Sequence, residues 1–534
     1  MDAIHLMSFL RKRLDMSGFL KDSYDVVIIG SALAGMASAL ELINHGIKDI
    51  LILEQHNLPG GIATSFVRSG VEMEATLHEM MSIGKDEELS IGKFFKENGI
   101  DISWVRVPDA YRYVDDEVNV LVHSGDHGNY ENTAREISSV YEDKDGKIYQ
   151  QTLDFLNMCH RIYVGMNYIS THKISTLNII RKFPDVARIV GYSVKEVMDA
   201  LHLPKKIQSI LSAYWIYIGN RIEKMPMIIY AFMIADYLGY GACIPRHFSH
   251  EMSIKMSEKC LERGVHIEFG QRVQSILVEN KKVVGIKTCK GDTIHTKYVI
   301  SGAYPNHVYH KMISPKSEVP QQAIQLLNSK ALGLSCFSVI LLLDQPHEKL
   351  NIHDYSTFYA PDGLDFDKIE EGFHSYPYRY VTSICHNVAI DDVSPEGTTL
   401  YSITALPYSD SFKDITVENY QSFREKHARY LIDIESKRLG IDLSGHIKDL
   451  VIETPVSVSH YTHAFQGSVY GYQHSMEDNI VARLNMDHEE HYIHGLSFAG
   501  AHQVSGDGMG PAIANGRKAA QDILAYMKDD KGGK

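Results

Sequence analysis

The stretch from Asp25 to Gly61 constrains the fold more than any other part of the chain. Asp25-Val26-Val27-Ile28-Ile29-Gly30 is a short apolar run closed by glycine, the pattern of a strand covered on both faces. Leu33 to His45 then has helical spacing and ends at Gly46, and Asp49 to Leu53 is a second buried strand. Strand, helix and parallel strand in this order predict an α/β fold with a Rossmann-like domain.

The turn inside this unit is Gly30-Ser31-Ala32-Leu33-Ala34-Gly35. Small residues there let the backbone approach a pyrophosphate, and the helix N-terminus offers its amides to it. The middle glycine of the usual G-x-G-x-x-G pattern is replaced by Ala32, so the turn alone is a weak signal. Its context strengthens it. Glu54 ends the second strand 24 positions after Gly30 (54 minus 30), close to the spacing of about 20 expected for a carboxylate that accepts hydrogen bonds from ribose hydroxyls. Pro59-Gly60-Gly61 follows as another glycine turn. These three features in sequence point to a dinucleotide cofactor.

At the other end, Gly495-Leu496-Ser497-Phe498-Ala499-Gly500-Ala501 reads as a short strand entering a glycine turn. Gly506-Asp507-Gly508-Met509-Gly510-Pro511 then opens a helix running to about Met527, with Pro511 suited to a first helical turn. Amides at that end would stabilise negative charge on a bound group.

On these residues the chain resembles the phytoene desaturase, carotenoid isomerase and retinol saturase group of FAD-dependent oxidoreductases. The resemblance is carried by Asp25 to Gly30, Glu54, Gly60-Gly61 and Gly70-Val71-Glu72-Met73-Glu74, and by Gly467-Ser468-Val469-Tyr470-Gly471 and Gly495 to Gly516. It implies a flavoprotein with two dinucleotide-binding-type domains and an interleaved α+β substrate domain. It also implies that the strand matching Arg272 to Leu277 passes the adenine, with Val273 supplying backbone contacts, and that Ile300-Ser301-Gly302-Ala303-Tyr304-Pro305 is the strand end that follows. The cofactor-binding set on this reading is Gly30, Ala32, Leu33, Ala34, Gly35, Glu54, Gln55, Gly60, Gly61, Ile62, Ala63, Thr64, Val273, Gly500, Gly508, Met509 and Gly510. Two positions depart from the group: Ile62 stands where many relatives carry Arg, and Met73-Glu74 where they carry a Phe-Asp pair. Phosphate charge is then left to Arg68, Arg517 or the helix dipole.

Composition narrows the remaining possibilities. At 534 residues the chain is too long for one core of usual size. A net charge of -14 argues against nucleic acid as a partner. Six cysteines without metal-ligand spacing indicate a reducing setting and no metal centre. No basic n-region precedes an apolar run, and the longest uncharged apolar runs, Met225 to Ala235 and Ala331 to Leu343, are short of the roughly 20 residues that span a bilayer, so a cytoplasmic location is expected.

The expected organisation is an amphipathic arm over 1–23, FAD segments at 24–86, 241–310 and 486–528, a mainly helical substrate or lid region over 87–240, a substrate domain over 311–485, and a frayed tail over 529–534. In the arm, Leu6, Leu10 and Leu14 share one face between basic residues, which suits either docking on the domain or contact with a membrane surface through residues 1–20. His266 to Val299 reads as two hairpins, Ser335 to Leu343 and Leu400 to Leu406 as strands, and Val417 to Leu439 as a long helix ended by Gly440.

Only one dinucleotide fingerprint is visible, which disfavours a stable NAD(P) site. Candidate proton-transfer groups are Glu74 and His78, near the third strand, and His502 and Asp507, in the turn expected beside the flavin. The leading expectation is an enzyme that desaturates, saturates or isomerises C=C bonds in a long hydrophobic substrate, a carotenoid-, isoprenoid- or retinoid-like polyene, by hydride transfer at flavin N5. Three alternatives remain: a flavin-dependent fatty-acid double-bond isomerase, which would use the same dinucleotide fold, a flavin amine oxidase, which shares both terminal motifs, and a non-enzymatic module binding prenylated proteins like the Rab escort and GDP-dissociation-inhibitor proteins, which reuse a related fold. The intact Glu54 and Gly60-Gly61 argue against the last.

Overall fold

The computed structural model describes residues 20–172, 174–360, 365–478, 483 and 491–532. The amphipathic arm, apart from its last few residues, therefore lies outside the described residues.

Five parallel strands form the sheet at the heart of the first layer, in the spatial order Leu496–Phe498, Val299–Ser301, Val26–Ile29, Ile50–Leu53 and His266–Glu268. Successive side chains of a strand point to opposite faces. Val26, Ile28, Ile50, Ile52 and Ile300 accordingly pack under three helices, Leu33–Asn44, Phe248–Glu262 and Met509–Gly532. Val27, Ile29, Leu51 and Leu53 pack on the other face against the antiparallel strands Val273–Glu279 and Lys282–Thr288. Both faces being covered explains why the parallel strands are written as unbroken apolar runs.

The segment expected as two hairpins is divided between two sheets: His266–Glu268 is an edge of the parallel sheet, while Val273–Glu279, Lys282–Thr288, Thr293–His295 and Ile313–Ser314 make a separate four-stranded sheet.

A seven-stranded sheet forms the second layer, in the order Ile447–Glu453, Phe337–Leu343, Thr399–Ala405, Val381–Cys385, Ser356–Tyr359, Tyr111–Val114 and Asn119–Val122. Its last two strands come from the region expected to be mainly helical. The alternating burial of the first of them, Tyr111 and Tyr113 in, Arg112 and Val114 partly out, is the signature of a strand packed on one face, a short pattern set among helical ones. The helix Tyr420–Leu439, ended by Gly440 in the left-handed region, covers Phe337, Val339, Leu341, Tyr401 and Ile403 on one face. Tyr111, Tyr113, Phe358 and Tyr380 belong to a larger core with the helices Lys147–Thr171 and Met227–Tyr240.

The chain end also differs from expectation. The last helix continues through Gly532, because Asp530 accepts from the Tyr298 hydroxyl at 2.7 Å and pairs with His494 at 3.1 Å.

Candidate functional site

The strand Val26–Ile29 delivers Gly30 at φ +97° into the turn, and the Gly30 amide donates to the Leu53 carbonyl at 2.9 Å. The helix that follows begins at Leu33 with Ala32 as its N-cap. Alanine has no side-chain oxygen to satisfy the first-turn amides, so those of Leu33, Ala34 and Gly35 keep their donors for an anion. Gly35 is obligatory: a Cβ there would lie 2.1 Å from the Gly30 carbonyl oxygen.

The two glycine turns sit on one another. The Gly60 amide donates to the Ser31 carbonyl at 3.0 Å, and a Cβ on Gly61 would meet the Ala32 Cβ at 3.1 Å. Gly60, at φ +119°, has room for no side chain, since a Cβ would lie 2.3 Å from the Ala63 carbonyl oxygen. The Ala63 carbonyl in turn accepts from Ser253 at 2.7 Å, and the Ile62 carbonyl from Thr76 at 3.0 Å and from the Thr64 amide at 2.9 Å. The cradle is thus bare backbone held from behind.

Glu54 is buried, with one carboxylate oxygen accepting from the Ser31 amide and hydroxyl at 2.8 and 2.9 Å and the other from the His56 amide at 2.8 Å. It joins the end of one strand to the turn after the other, with lone pairs remaining for ribose hydroxyls. Gln55 beside it is exposed. The Gln271 amide donates to the Glu54 carbonyl at 2.8 Å and the Gly270 amide to the His56 carbonyl at 2.9 Å, which brings the approach to Val273 alongside.

The C-terminal turn is organised by Asn515 from inside the last helix. Its side chain donates to the Gly500 and Gly506 carbonyls at 2.9 and 3.2 Å and accepts from the Ser505 amide at 2.9 Å. Gly500 and Gly508 have φ of +126° and +96°, and Met509 and Gly510 start the helix. Gly516 sets this helix against the first one: a Cβ would lie 2.1 Å from the Ala34 carbonyl oxygen, and Ser38 donates to the Gly516 carbonyl at 2.8 Å. The Gly30–Gly35 turn and the Gly500–Gly510 turn are thereby tied to one rigid pair of helices.

The two arginines considered as phosphate neutralisers are engaged elsewhere. Arg68 pairs with Asp449 at 3.1 Å on the surface, and Arg517 with Glu41 at 3.1 Å.

The proton-transfer candidates separate into two kinds. Glu74 is saturated: it accepts from the amides of Thr76 and Leu77 at 3.1 and 3.0 Å, and from the Ser249 amide and hydroxyl at 2.7 and 2.9 Å. Burial raises it to about 7 against these donors, and its contacts make it a clamp between a strand and the helix Phe248–Glu262. His78, His502 and Asp507 are different. Burial lowers His78 to about 4 and His502 to about 3, so both rings are neutral, and His502 Nε2 has no hydrogen-bond partner. His502 packs beside Tyr304 with ring centroids 5.3 Å apart. Burial pushes Asp507 up to about 8.

Sequence reasoning missed a further group. Glu79, immediately after His78, is 6% exposed and pushed up to about 8 by burial and by the neighbouring Asp109. Around it stand Tyr214, Tyr237 and Tyr355, all buried, and the partly buried Tyr217. The Tyr214, Tyr217 and Tyr237 rings lie 4.8 to 5.6 Å apart. The field of Asp507 reaches Tyr237, Tyr304 and Tyr470, which links this aromatic cluster to the C-terminal glycine turn. Glu79 follows the third strand in the sequence, but nothing local marks it, because the tyrosines around it lie more than 100 positions away.

Bare glycine turns, free first-turn amides and a strand-end carboxylate are a fitting cradle for a dinucleotide, and comparison with known proteins agrees. The family described as flavin containing amine oxidoreductase matches residues 33–524. The chain belongs to this family and is an FAD-dependent oxidoreductase. Among curated relatives, it is 22% identical over 491 residues to the all-trans-retinol 13,14-reductase of Macaca fascicularis, covering 85% of this chain and 78% of that protein. It is also 22% identical to the chloroplastic prolycopene isomerase of Daucus carota, covering 84% and 72%. Wild-type putrescine oxidase, solved with putrescine, superposes with a TM-score of 0.61 at 13% identity, covering 94% of this chain and 99% of that one, a likeness of fold.

Proposed function

We propose that this protein acts on a carbon–carbon double bond of a long apolar polyene or isoprenoid, reducing, desaturating or isomerising it. The observation that carries the reading is the aromatic cluster between His78-Glu79 and Tyr470, where burial raises the Glu79 and Asp507 carboxyl groups well above the usual range. Glu79 and Asp507, both raised to about 8, are neutral acids at pH 7 and do not present the anionic charge that would draw an ammonium group. This favours an uncharged substrate over an amine. Relatives named for a retinol and for prolycopene support the same choice.

FAD, when bound, supplies hydride transfer to or from the substrate. The chain's own contributions are spatial and electrostatic. Leu33, Ala34 and Gly35 amides would hold the pyrophosphate and Glu54 the ribose, while Asn515 fixes the turn of Gly500 to Gly506. The buried tyrosines exclude water, and Asp507 carries a proton at the turn next to neutral His502.

Exchange of so apolar a substrate with a membrane surface belongs to this reading. It is supported by the helix Thr176–Lys182, which buries no residue and exposes Leu177 and Ile180 beside Arg181 and Lys182. Among the described residues no helix is long and apolar enough to cross a membrane.

The test is incubation of the FAD-loaded protein with all-trans-retinol or an acyclic carotene, followed by mass spectrometry and chromatography of the lipid. A product differing by two hydrogens, or a geometric isomer of unchanged mass, is expected. Unaltered lipid in every case refutes the proposal.

A further inference from the structure

We infer that the Glu79 carboxyl group binds an oxygen atom, hydroxyl or carbonyl, of an otherwise apolar ligand, so that this site takes an oxygen-bearing polyene or isoprenoid in preference to the bare hydrocarbon. The inference rests on the polyene reading above and narrows it.

The backbone on both sides of Glu79 is fixed. The Met80 amide donates to the Cys243 carbonyl at 2.8 Å and the Cys243 amide donates back at 3.0 Å. The Ser82 amide donates to buried Asp236 at 3.1 Å, and the Tyr355 hydroxyl to the His78 carbonyl at 2.5 Å. The side chain therefore cannot swing out to solvent without dismantling this loop. Of its two oxygens, Oε1 accepts from the Tyr217 hydroxyl at 3.3 Å, while Oε2 is buried with no hydrogen-bond partner.

The surrounding hydroxyls have other acceptors, although the Tyr214 hydroxyl also lies within reach of the Glu79 carboxyl group. Tyr214 donates to the Ala110 carbonyl at 3.0 Å, Tyr237 to the Glu79 carbonyl at 3.5 Å, Tyr355 to the His78 carbonyl and Tyr217 to Oε1. Burial keeps Glu79 protonated, so it offers one hydroxyl donor and spare lone pairs in an aromatic wall. A buried polar group left in this state is costly, and Glu79 shares it with Glu453, whereas Glu74 is fully paired.

A hydrocarbon has no lone pair or donor to offer here. A hydroxyl both accepts from the carboxylic acid and donates to it, and a carbonyl accepts from it. A cation is disfavoured by the neutral state of the acid, and among the described residues no cluster of ligating side chains accompanies it. Tyr237 connects this point to the proposed reaction centre, since its hydroxyl faces Glu79 while the field of Asp507 acts on it.

The experiment compares binding of all-trans-retinol and of its deoxygenated hydrocarbon to the FAD-loaded protein, read by quenching of tyrosine and tryptophan fluorescence. Wild type is expected to bind the alcohol at least about tenfold more tightly, as one charge-free hydrogen bond to an otherwise unsatisfied buried group implies. Glu79→Leu should bring the two affinities within about twofold, by weakening the alcohol and not the hydrocarbon. Glu79→Gln, which still donates and accepts, should keep most of the preference, and flavin absorbance with the thermal midpoint reports that each variant is folded. If Glu79→Leu does not fold, loss of the preference in Glu79→Met decides in its place. Equal affinity of wild type for both ligands, or a preference that survives removal of the carboxyl group, overturns the inference and leaves the polyene reading standing. Binding of neither ligand overturns both.

Discussion

Substitution of Gly35 by Ala tests the cofactor cradle where the geometry is least forgiving. An added Cβ would lie 2.1 Å from the Gly30 carbonyl oxygen, whereas real Cβ atoms essentially never come within 3.0 Å. The helix and the strand end must therefore part by about 0.9 Å (3.0 minus 2.1), since the obstacle is backbone and cannot rotate away. Three hydrogen bonds anchor the turn that must give way, two to the second strand and one to the Gly60 loop: Gly30 to Leu53 at 2.9 Å, Ser31 to Glu54 at 2.8 Å and Gly60 to Ser31 at 3.0 Å. Lengthened by such a shift they leave the range of effective hydrogen bonds, and at about 1 kcal/mol each their loss is about 3 kcal/mol. Converted to affinity this is about a hundredfold rise in the FAD dissociation constant. Titration of flavin-free protein with FAD, followed by flavin fluorescence, measures it. Gly191→Ala, whose Cβ would meet nothing within 4 Å, is the control and should match wild type. A dissociation constant for Gly35→Ala within threefold of wild type would refute this account of the turn.

Arg68→Ala should leave FAD affinity unchanged, because Arg68 is half-exposed and paired with Asp449; a loss beyond threefold on the same titration would return it to the cofactor site. Glu79 makes stability depend on pH with a definite sign. Its folded-state pKa, about 8, is above the ordinary 4.5, so the folded protein binds the proton more tightly than the unfolded chain. That contribution is full below about pH 4.5 and is lost as pH rises through about 8, with a slope of at most about 1.4 kcal/mol per pH unit. Glu79→Gln should accordingly gain on wild type between pH 5.5 and 7.5, by about 1 to 3 kcal/mol in denaturant titration of the FAD-loaded proteins. Parallel curves would show that Glu79 is ionised in the folded state.

What the sequence made legible was local. The strand, turn, helix and strand from Asp25 to Leu53 are each specified by their own residues, and the Gly440 stop of the long helix is visible in the letters. What stayed hidden depended on partners far along the chain. Arg68 reads as a phosphate ligand until Asp449 is seen beside it. Glu74 reads as an acid or base until Ser249, 175 residues away, is found donating twice to it. The strands Tyr111–Val114 and Asn119–Val122 are short, and their membership of the seven-stranded sheet follows from pairing with Ser356–Tyr359. Asp530 holds the end of the last helix through Tyr298 and His494, so a charged, glycine-containing tail stays helical. Glu79 was invisible for the same reason: its chemistry is created by burial among tyrosines from three separate segments.

The central claim is that the bound flavin serves a neutral polyene. Anaerobic mixing of the FAD-loaded protein, in its oxidised form and separately after chemical reduction, with all-trans-retinol or an acyclic carotene, and in parallel with putrescine, tests it most directly. The account predicts that the polyene is converted, with the 450 nm region of the flavin spectrum bleaching or recovering in step with any two-hydrogen change, and that putrescine leaves the oxidised flavin untouched. Bleaching by putrescine together with an unaltered polyene would contradict it.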